Sequence, residues 1–206
     1  MAERVALIDY GAGNLHSVHN ALKAAGAPDI EVTDDPQVVR TADRIVLPGV
    51  GAFAACMGGL AAIPGMIDAL EARVLGDKVP FLGICVGMQL LATRGVEHGV
   101  HAGLGWIPGE VRLIDAAPTV KVPHMGWNDV VPSAGAPLIE HGEAYFLHSY
   151  HFAAADDADV AARTDHGGAI TAAVARGNII GVQFHPEKSQ GYGLGLLRLF
   201  LDWNWA

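Results

Sequence analysis

At 206 residues, 51% hydrophobic and 17% charged, the chain has the length and composition of one folded domain with a sizeable core, not of a disordered segment. Its formal net charge of −9 argues against a surface for nucleic acid or anionic membrane, so neither is an expected partner. No apolar run reaches membrane-spanning length, the first residues lack the apolar core of a signal peptide, and Cys56 and Cys85 do not make a disulfide framework; a reducing cytoplasm is the expected compartment.

In chain order, Val5 to Asp9 reads as a buried strand. Leu15, Val18, Leu22 and Ala25 then recur at helical spacing, with Gly26 as the stop. Ile30 to Thr33 is a short second strand, and Asp35 before Pro36 has the form of a helix N-cap followed by proline at the first helical position. Arg44 to Leu47 is a third strand, running into Pro48-Gly49-Val50-Gly51. Pro64 is expected to open a helix with Ile63, Ile67, Leu70 and Val74 on one side, and Val79 to Ile84 a fourth strand. This alternation implies a mostly parallel sheet covered by helices on both faces. From about Trp106 the pattern changes to short β-like runs at Glu110–Ile114, Ala144–Leu147, Val160–Thr164, Ala172–Ala175 and Ile179–Gln183, separated by turns such as Gly167-Gly168 and Gly177-Asn178. They predict an added antiparallel β portion in the C-terminal half. A final helix from about Leu194 to Asn204 carries Leu196, Phe200 and Trp203 on one face. No linker, repeat or low-complexity stretch divides the chain, so residues 1–206 are expected to form a single domain.

The chemistry concentrates in three strand ends. Gly83-Ile84-Cys85-Val86-Gly87 has the form of a nucleophile elbow, a sharp strand-to-helix turn that lifts its central residue above the sheet. Flanking glycines avoid crowding there, and the N–H groups of a following helix favour thiolate. The alternative is a buried structural cysteine. Gly181-Val-Gln-Phe-His185-Pro186-Glu187 offers a base and an orienter: in an extended backbone, side chains two apart point the same way, so the Glu187 carboxylate reaches the His185 ring. The alternative is a strand end with solvated polar groups. Pro48–Gly51 is a glycine-rich turn able to present backbone N–H groups to a developing oxyanion; without a following Lys-Ser/Thr it is not a nucleotide-binding loop. Asp9-Tyr-Gly11-Ala-Gly13-Asn14 has two of the three glycines of a dinucleotide fingerprint, with His16 in the third place. His98/His101 and His148/His151 lack a third ligand or an HExxH context, so no metal site is expected.

Pro48-Gly-Val-Gly51, Gly83-Ile-Cys-Val-Gly-Met-Gln89 and His185-Pro-Glu187, in that order and over nearly all of the chain, resemble the class I (triad) glutamine amidotransferases. Val86 and Met88 stand where Leu and His are frequent elsewhere in that family. Asp9-Tyr-Gly-Ala-Gly-Asn-Leu15, Pro123-His-Met-Gly-Trp-Asn128 and Tyr145-Phe-Leu-His-Ser-Tyr150 narrow the resemblance to the branch serving histidine biosynthesis. The resemblance implies a flavodoxin-like doubly wound fold. It implies that Cys85 attacks the side-chain amide of glutamine, that His185 shuttles the proton, and that Glu187 orients His185. The backbone N–H of Val86, with that of Val50 or Gly51, would hold the oxyanion. Gln89 would contact the substrate, with solvation on a helix surface as its alternative; Ser149 and Tyr150 would grip the amino-acid head through backbone groups. No cofactor is expected. The implied partner is a (β/α)8 barrel synthase that receives ammonia as the other half of a heterodimer. Pro123, Met125, Trp127, Asn128, Asn14, Tyr145 and Lys188 are the interface candidates; a core loop with a buried tryptophan is the alternative for Pro123–Asn128. Weak activity alone and stimulation by the partner are expected, one route being an oxyanion turn that rests misoriented until docking. Another amidotransferase glutaminase, a free-standing γ-glutamyl or peptide cysteine hydrolase, and a redox sensor built on a low-pKa cysteine remain open.

Overall fold

The computed structural model describes residues 3–115 and 120–205. The first half alternates as expected: β1 (Arg4–Ile8), α1 (Leu15–Ala25), β2 (Asp29–Thr33), α2 (Pro36–Val39), β3 (Arg44–Gly49), α3 (Phe53–Ala62), α4 (Met66–Glu71), β4 (Phe81–Cys85) and α5 (Val86–Gln89). The second half is mainly β: β5 (Arg94–Gly95), β6 (His101–Ala102), β7 (Gly109–Leu113), β8 (His124–Pro132), β9 (Gly142–His148), β10 (Tyr150–Ala154), β11 (Val160–Asp165), β12 (Ala169–Arg176) and β13 (Ile179–Val182), closed by α6 (Gln190–Asp202).

One nine-stranded sheet has the order β2-β1-β3-β4-β13-β12-β11-β8-β9. Its first five strands are parallel and its remainder antiparallel. The parallel part has the 2-1-3-4-5 order of flavodoxin-like folds, with β13 as the fifth strand. Strands β10, β7, β5 and β6 form a separate four-stranded sheet. The chain steps outward from β1 to β2 and then the other way through β3 to β4. Right-handed crossovers therefore put α1 on one face and α2 to α4 on the other. Accordingly α6 packs on α1, while α4 touches α2 and α3, and α3 reaches α5. Strands β1, β3 and β4 are buried almost throughout, as central parallel strands must be.

Local signals act where expected. Asp35 accepts a 2.8 Å bond from the Gln37 N–H, capping α2, and Gly26 ends α1 in the left-handed conformation at φ 107°. Other expectations need correction. Pro64 lies in a turn, and the helix begins two residues later, after Gly65, and ends in a π-type turn at Ala72–Gly76. Helix α3 and strands β8 and β10 had no forecast. The helix after Cys85 is a single four-residue turn, so the sulfur faces the N–H groups of one turn and not a long helix dipole. Among the described residues, no single helix is long and apolar enough to cross a membrane.

Candidate active site

Cys85 ends β4 with φ 54° and ψ −112°, a conformation that costs an L-residue of order 1–3 kcal/mol. Four glycines let the next turn lie flat on the sheet. A Cβ on Gly83 would sit 2.6 Å from the Gly87 carbonyl oxygen, one on Gly49 2.7 Å from the Gly87 nitrogen, and one on Gly181 2.7 Å from Met88 Cγ. A Cβ on Gly87 would collide with the Leu47 carbonyl. The packing of α5 thus holds the elbow against its own strain.

His185 lies just past β13, the strand hydrogen-bonded to β4. Its Nδ1 is 2.9 Å from Glu187 Oε1, and the two side chains are only 4% and 1% exposed. Burial alone would lower the imidazole pKa; hydrogen bonds with Cys85 and Glu187 outweigh it and push the value up to about 9. His185 is therefore protonated, between a sulfur and a carboxylate, over the neutral range. The backbone is clamped as well. His185 N donates to Tyr145 O at 2.9 Å, Tyr145 N to Ser189 Oγ at 2.9 Å, and Ser189 Oγ to His185 O at 2.7 Å. The Cys85, His185 and Glu187 expected from the sequence come together as one unit.

The unit opens into a cleft of about 360 Å³. Val50, Gly51 and Val86 line it on one side, and Gln89, Ser149 and Tyr150 on another. The oxyanion-turn candidates are held from behind: Tyr10 donates its hydroxyl to Pro48 O at 2.7 Å, and the Cys56 thiol donates to Val50 O at 3.3 Å. Cys56, to which the sequence assigned no task, thus braces this turn. Gln89 is 3% exposed, which removes the helix-surface alternative. Its Nε2 donates to Tyr150 O and to Gln183 Oε1, both at 3.0 Å. The carbonyl of Tyr150 also accepts from His148 Nδ1 at 2.9 Å, and that of Ser149 from Ile114 N at 2.9 Å. Those two carbonyls are therefore already engaged.

Three residues of the site carried no sequence signal. Glu97 lines the cleft, its Oε2 accepting from Phe53 N at 2.6 Å; a carboxylate there suits an ammonium group. Ser189 closes the backbone clamp, and fully buried Gln183 places Nε2 3.7 Å from Cys85 Sγ. Strand identity alone does not announce any of them, since each acts across the fold.

The interface candidates divide. Met125 and Trp127 are 65% and 47% exposed, and register places them beside Leu147 and Tyr145 on β9. The Trp127 and Tyr145 rings meet edge-on at 6.2 Å, and Lys188 Nζ stands 5.7 Å from the Tyr145 ring centre. Pro123 and Lys188 also line the rim of the cleft. The alternative of a core loop with a buried tryptophan is therefore removed. Asn128 differs: its amide donates inward, to His124 Nε2 at 3.0 Å and Asp165 O at 2.8 Å. Asn14 stands apart from the cleft lining, at the start of α1, in a turn whose Gly13 abuts Pro48. Among the described residues, no group of three or more His, Cys, Asp or Glu is placed to hold a metal ion.

The family model for glutamine amidotransferase class-I matches residues 6–202. The chain is 61% identical over 204 residues to the imidazole glycerol phosphate synthase subunit HisH of Zymomonas mobilis, covering 97% of this chain and 96% of that protein. It is 53% identical over 211 residues to the HisH subunit of Rhodospirillum rubrum, covering 97% and 99%. Among solved structures, a glutamine amidotransferase superposes with a TM-score of 0.76 at 21% identity, over 96% of this chain and 97% of that one. PurLQS from Thermotoga maritima superposes with a TM-score of 0.74 at 21% identity, over 98% and 99%. These two structures speak for the fold, and the sequence matches for the lineage: the chain belongs to the class I glutamine amidotransferase family, among the HisH subunits of imidazole glycerol phosphate synthase.

Proposed function

We propose that this chain hydrolyses glutamine to glutamate and ammonia through Cys85, His185 and Glu187, and passes the ammonia to a (β/α)8 barrel synthase with which it forms a heterodimer in histidine biosynthesis. The observation that carries the proposal is the buried His185–Glu187 pair, 2.9 Å apart, beside a cysteine on a strained elbow. Cys85 attacks the carboxamide carbon of glutamine as the thiolate, the nucleophilic form of a cysteine. The oxyanion develops against the backbone N–H of Val86, which leads a helix and has no intrahelical partner, and an N–H from Val50 or Gly51. His185 protonates the departing ammonia, leaving a γ-glutamyl thioester on Cys85. Water, deprotonated by His185, then releases glutamate. Glu187 holds the imidazole and stabilises its charge. The Glu97 carboxylate and the Oε1 of Gln89, both on the cleft lining, are available acceptors for the substrate's ammonium.

The exposed patch of Met125, Trp127 and Leu147 beside the cleft supports docking of the synthase over the active site. Both cysteines are free, which suits the cytoplasm. The test is glutamate formation by the chain with and without a barrel synthase and its nucleotide ligand. Turnover stimulated by the partner and abolished by Cys85→Ala is expected; a Cys85→Ala chain that keeps wild-type hydrolysis would refute the scheme.

A further inference from the structure

We propose that Gln183 and the buried pair His148 and His124 are positioning residues of the glutaminase site, on two hydrogen-bond arms that meet at the Tyr150 carbonyl, aim an amide N–H at Cys85 and turn the Gln89 oxygen toward the substrate. The inference rests on the glutaminase reading for what the site does, but the direction of both arms follows from local chemistry. The carbonyl of Tyr150 can only accept. Both groups that meet it, His148 Nδ1 at 2.9 Å and the Gln89 amide at 3.0 Å, must therefore donate. That single fact sets every other atom.

On one side, the Gln89 atom facing Tyr150 is nitrogen. The same nitrogen lies 3.0 Å from the end of the Gln183 side chain, so that end is oxygen. The Gln183 nitrogen is then left 3.7 Å from Cys85 Sγ, as a donor to sulfur. Both Gln89 hydrogens are consumed, and its Oε1, on the wall of the cleft, meets no donor among the described residues. On the other side, His148 carries its proton on Nδ1, so Nε2 accepts. His124 Nδ1, 3.0 Å away, must donate, and His124 Nε2 accepts from Asn128 Nδ2 at 3.0 Å. A second proton on either ring would set donor against donor. Burial agrees: it holds His124 down to about 4 and His148 to about 3, so both stay neutral. The His124 ring is also fixed between Phe146 at 4.6 Å and His166 at 4.1 Å, both stacked.

The consequences differ for the two ends. An N–H aimed at sulfur favours thiolate, so losing it slows the chemistry. The Gln89 oxygen is a binding group; His148 steadies the Tyr150 carbonyl on which the Gln89 amide is anchored, so loosening that carbonyl lets the amide shift and weakens the hold on substrate. Gln183→Leu is expected to lower the alkylation rate of Cys85 by iodoacetamide about tenfold at neutral pH, with its pH midpoint moved up. The labelled cysteine is identified by peptide mass, which separates Cys85 from Cys56. Gln183→Glu keeps the shape and puts an acceptor in place of the donor, so it should shift the midpoint at least as far, and it serves if the leucine variant does not fold. His148→Leu is expected to raise KM for glutamine in the complex with the synthase more than it lowers kcat. His148→Asn, whose amide can reproduce the Nδ1 donor, should restore much of the loss. Folded Gln183 variants with a wild-type alkylation profile, or a His148→Leu chain with wild-type KM, would overturn the inference. Alkylation needs no glutamine, so it tests the Gln183 end even if wild-type chain and synthase make no glutamate, a result that would instead sink the proposed function.

Discussion

The protonated state of His185 is the sharpest consequence of single residues. Its pKa is about 9 in the folded chain, against 6.5 for an ordinary histidine. A raised value means the folded state binds the proton more tightly. The stabilisation, roughly 3 kcal/mol, is full below about pH 6.5 and is lost as pH rises through about 9. Removing the carboxylate leaves burial opposed by Cys85 alone. In Glu187→Gln, NMR titration should find the His185 midpoint lower by about one to two units, and the fall in stability between pH 6.5 and 9 correspondingly smaller. An unchanged midpoint would mean that Glu187 does not govern the imidazole. Cys85, His185 and Glu187 were legible in sequence because their geometry is local, an elbow turn and an i,i+2 pair on extended backbone. Glu97, Gln183 and Ser189 were not, since an amide, a hydroxyl or a carboxylate acquires its role only from partners far along the chain.

At the scale of elements, the turn after Cys85 is held by what the neighbouring strands lack. Gly87→Ala would drive a methyl into the Leu47 carbonyl of β3, backbone that cannot yield cheaply. A loss of about 3 kcal/mol or more is expected in urea unfolding, with glutaminase activity falling alongside because the elbow must move. By contrast Asp35→Ala, far from the cleft, should cost only about 1 kcal/mol through its lost cap, and leave turnover alone. Elements with ordinary signals were readable: α1 by its apolar spacing and Gly26, α2 by Asp35-Pro36. Strand β8 was hidden because its pattern is inverted. Polar His124 and Asn128 face inward into the histidine chain, while Met125 and Trp127 face out, so no hydrophobic-in, polar-out alternation exists to find. Helix α3, rich in Ala and Gly with only Phe53, Cys56 and Leu60 buried, gives a similarly faint period.

Across the whole molecule, the parallel half supplies the nucleophile and oxyanion turn, and the antiparallel half supplies the surface above them. The two meet where β13 pairs with β4 on one side and β12 on the other. The parallel, helix-covered half of the sheet followed from βαβ alternation, but its strand order and the joining of β8 and β9 to the same sheet depend on long-range pairing that short apolar runs do not specify. This arrangement makes the outer face of β8 and β9 a test of assembly. Met125 and Trp127 present large apolar groups to solvent beside Lys188, at the cleft rim, and in the free chain they contribute little to the core. Trp127→Ala should therefore change folding stability by no more than about 0.5 kcal/mol. Buried against a synthase, the same ring would act as an anchor, and its loss should weaken the complex by about 2 kcal/mol, roughly thirtyfold in Kd. Calorimetric titration of the variant with the barrel subunit, alongside its thermal melt, separates the two quantities. A large drop in Tm with unchanged Kd would assign Trp127 to the fold; unchanged Tm with a weakened complex, and lost stimulation of glutamate formation, would place the synthase on this face.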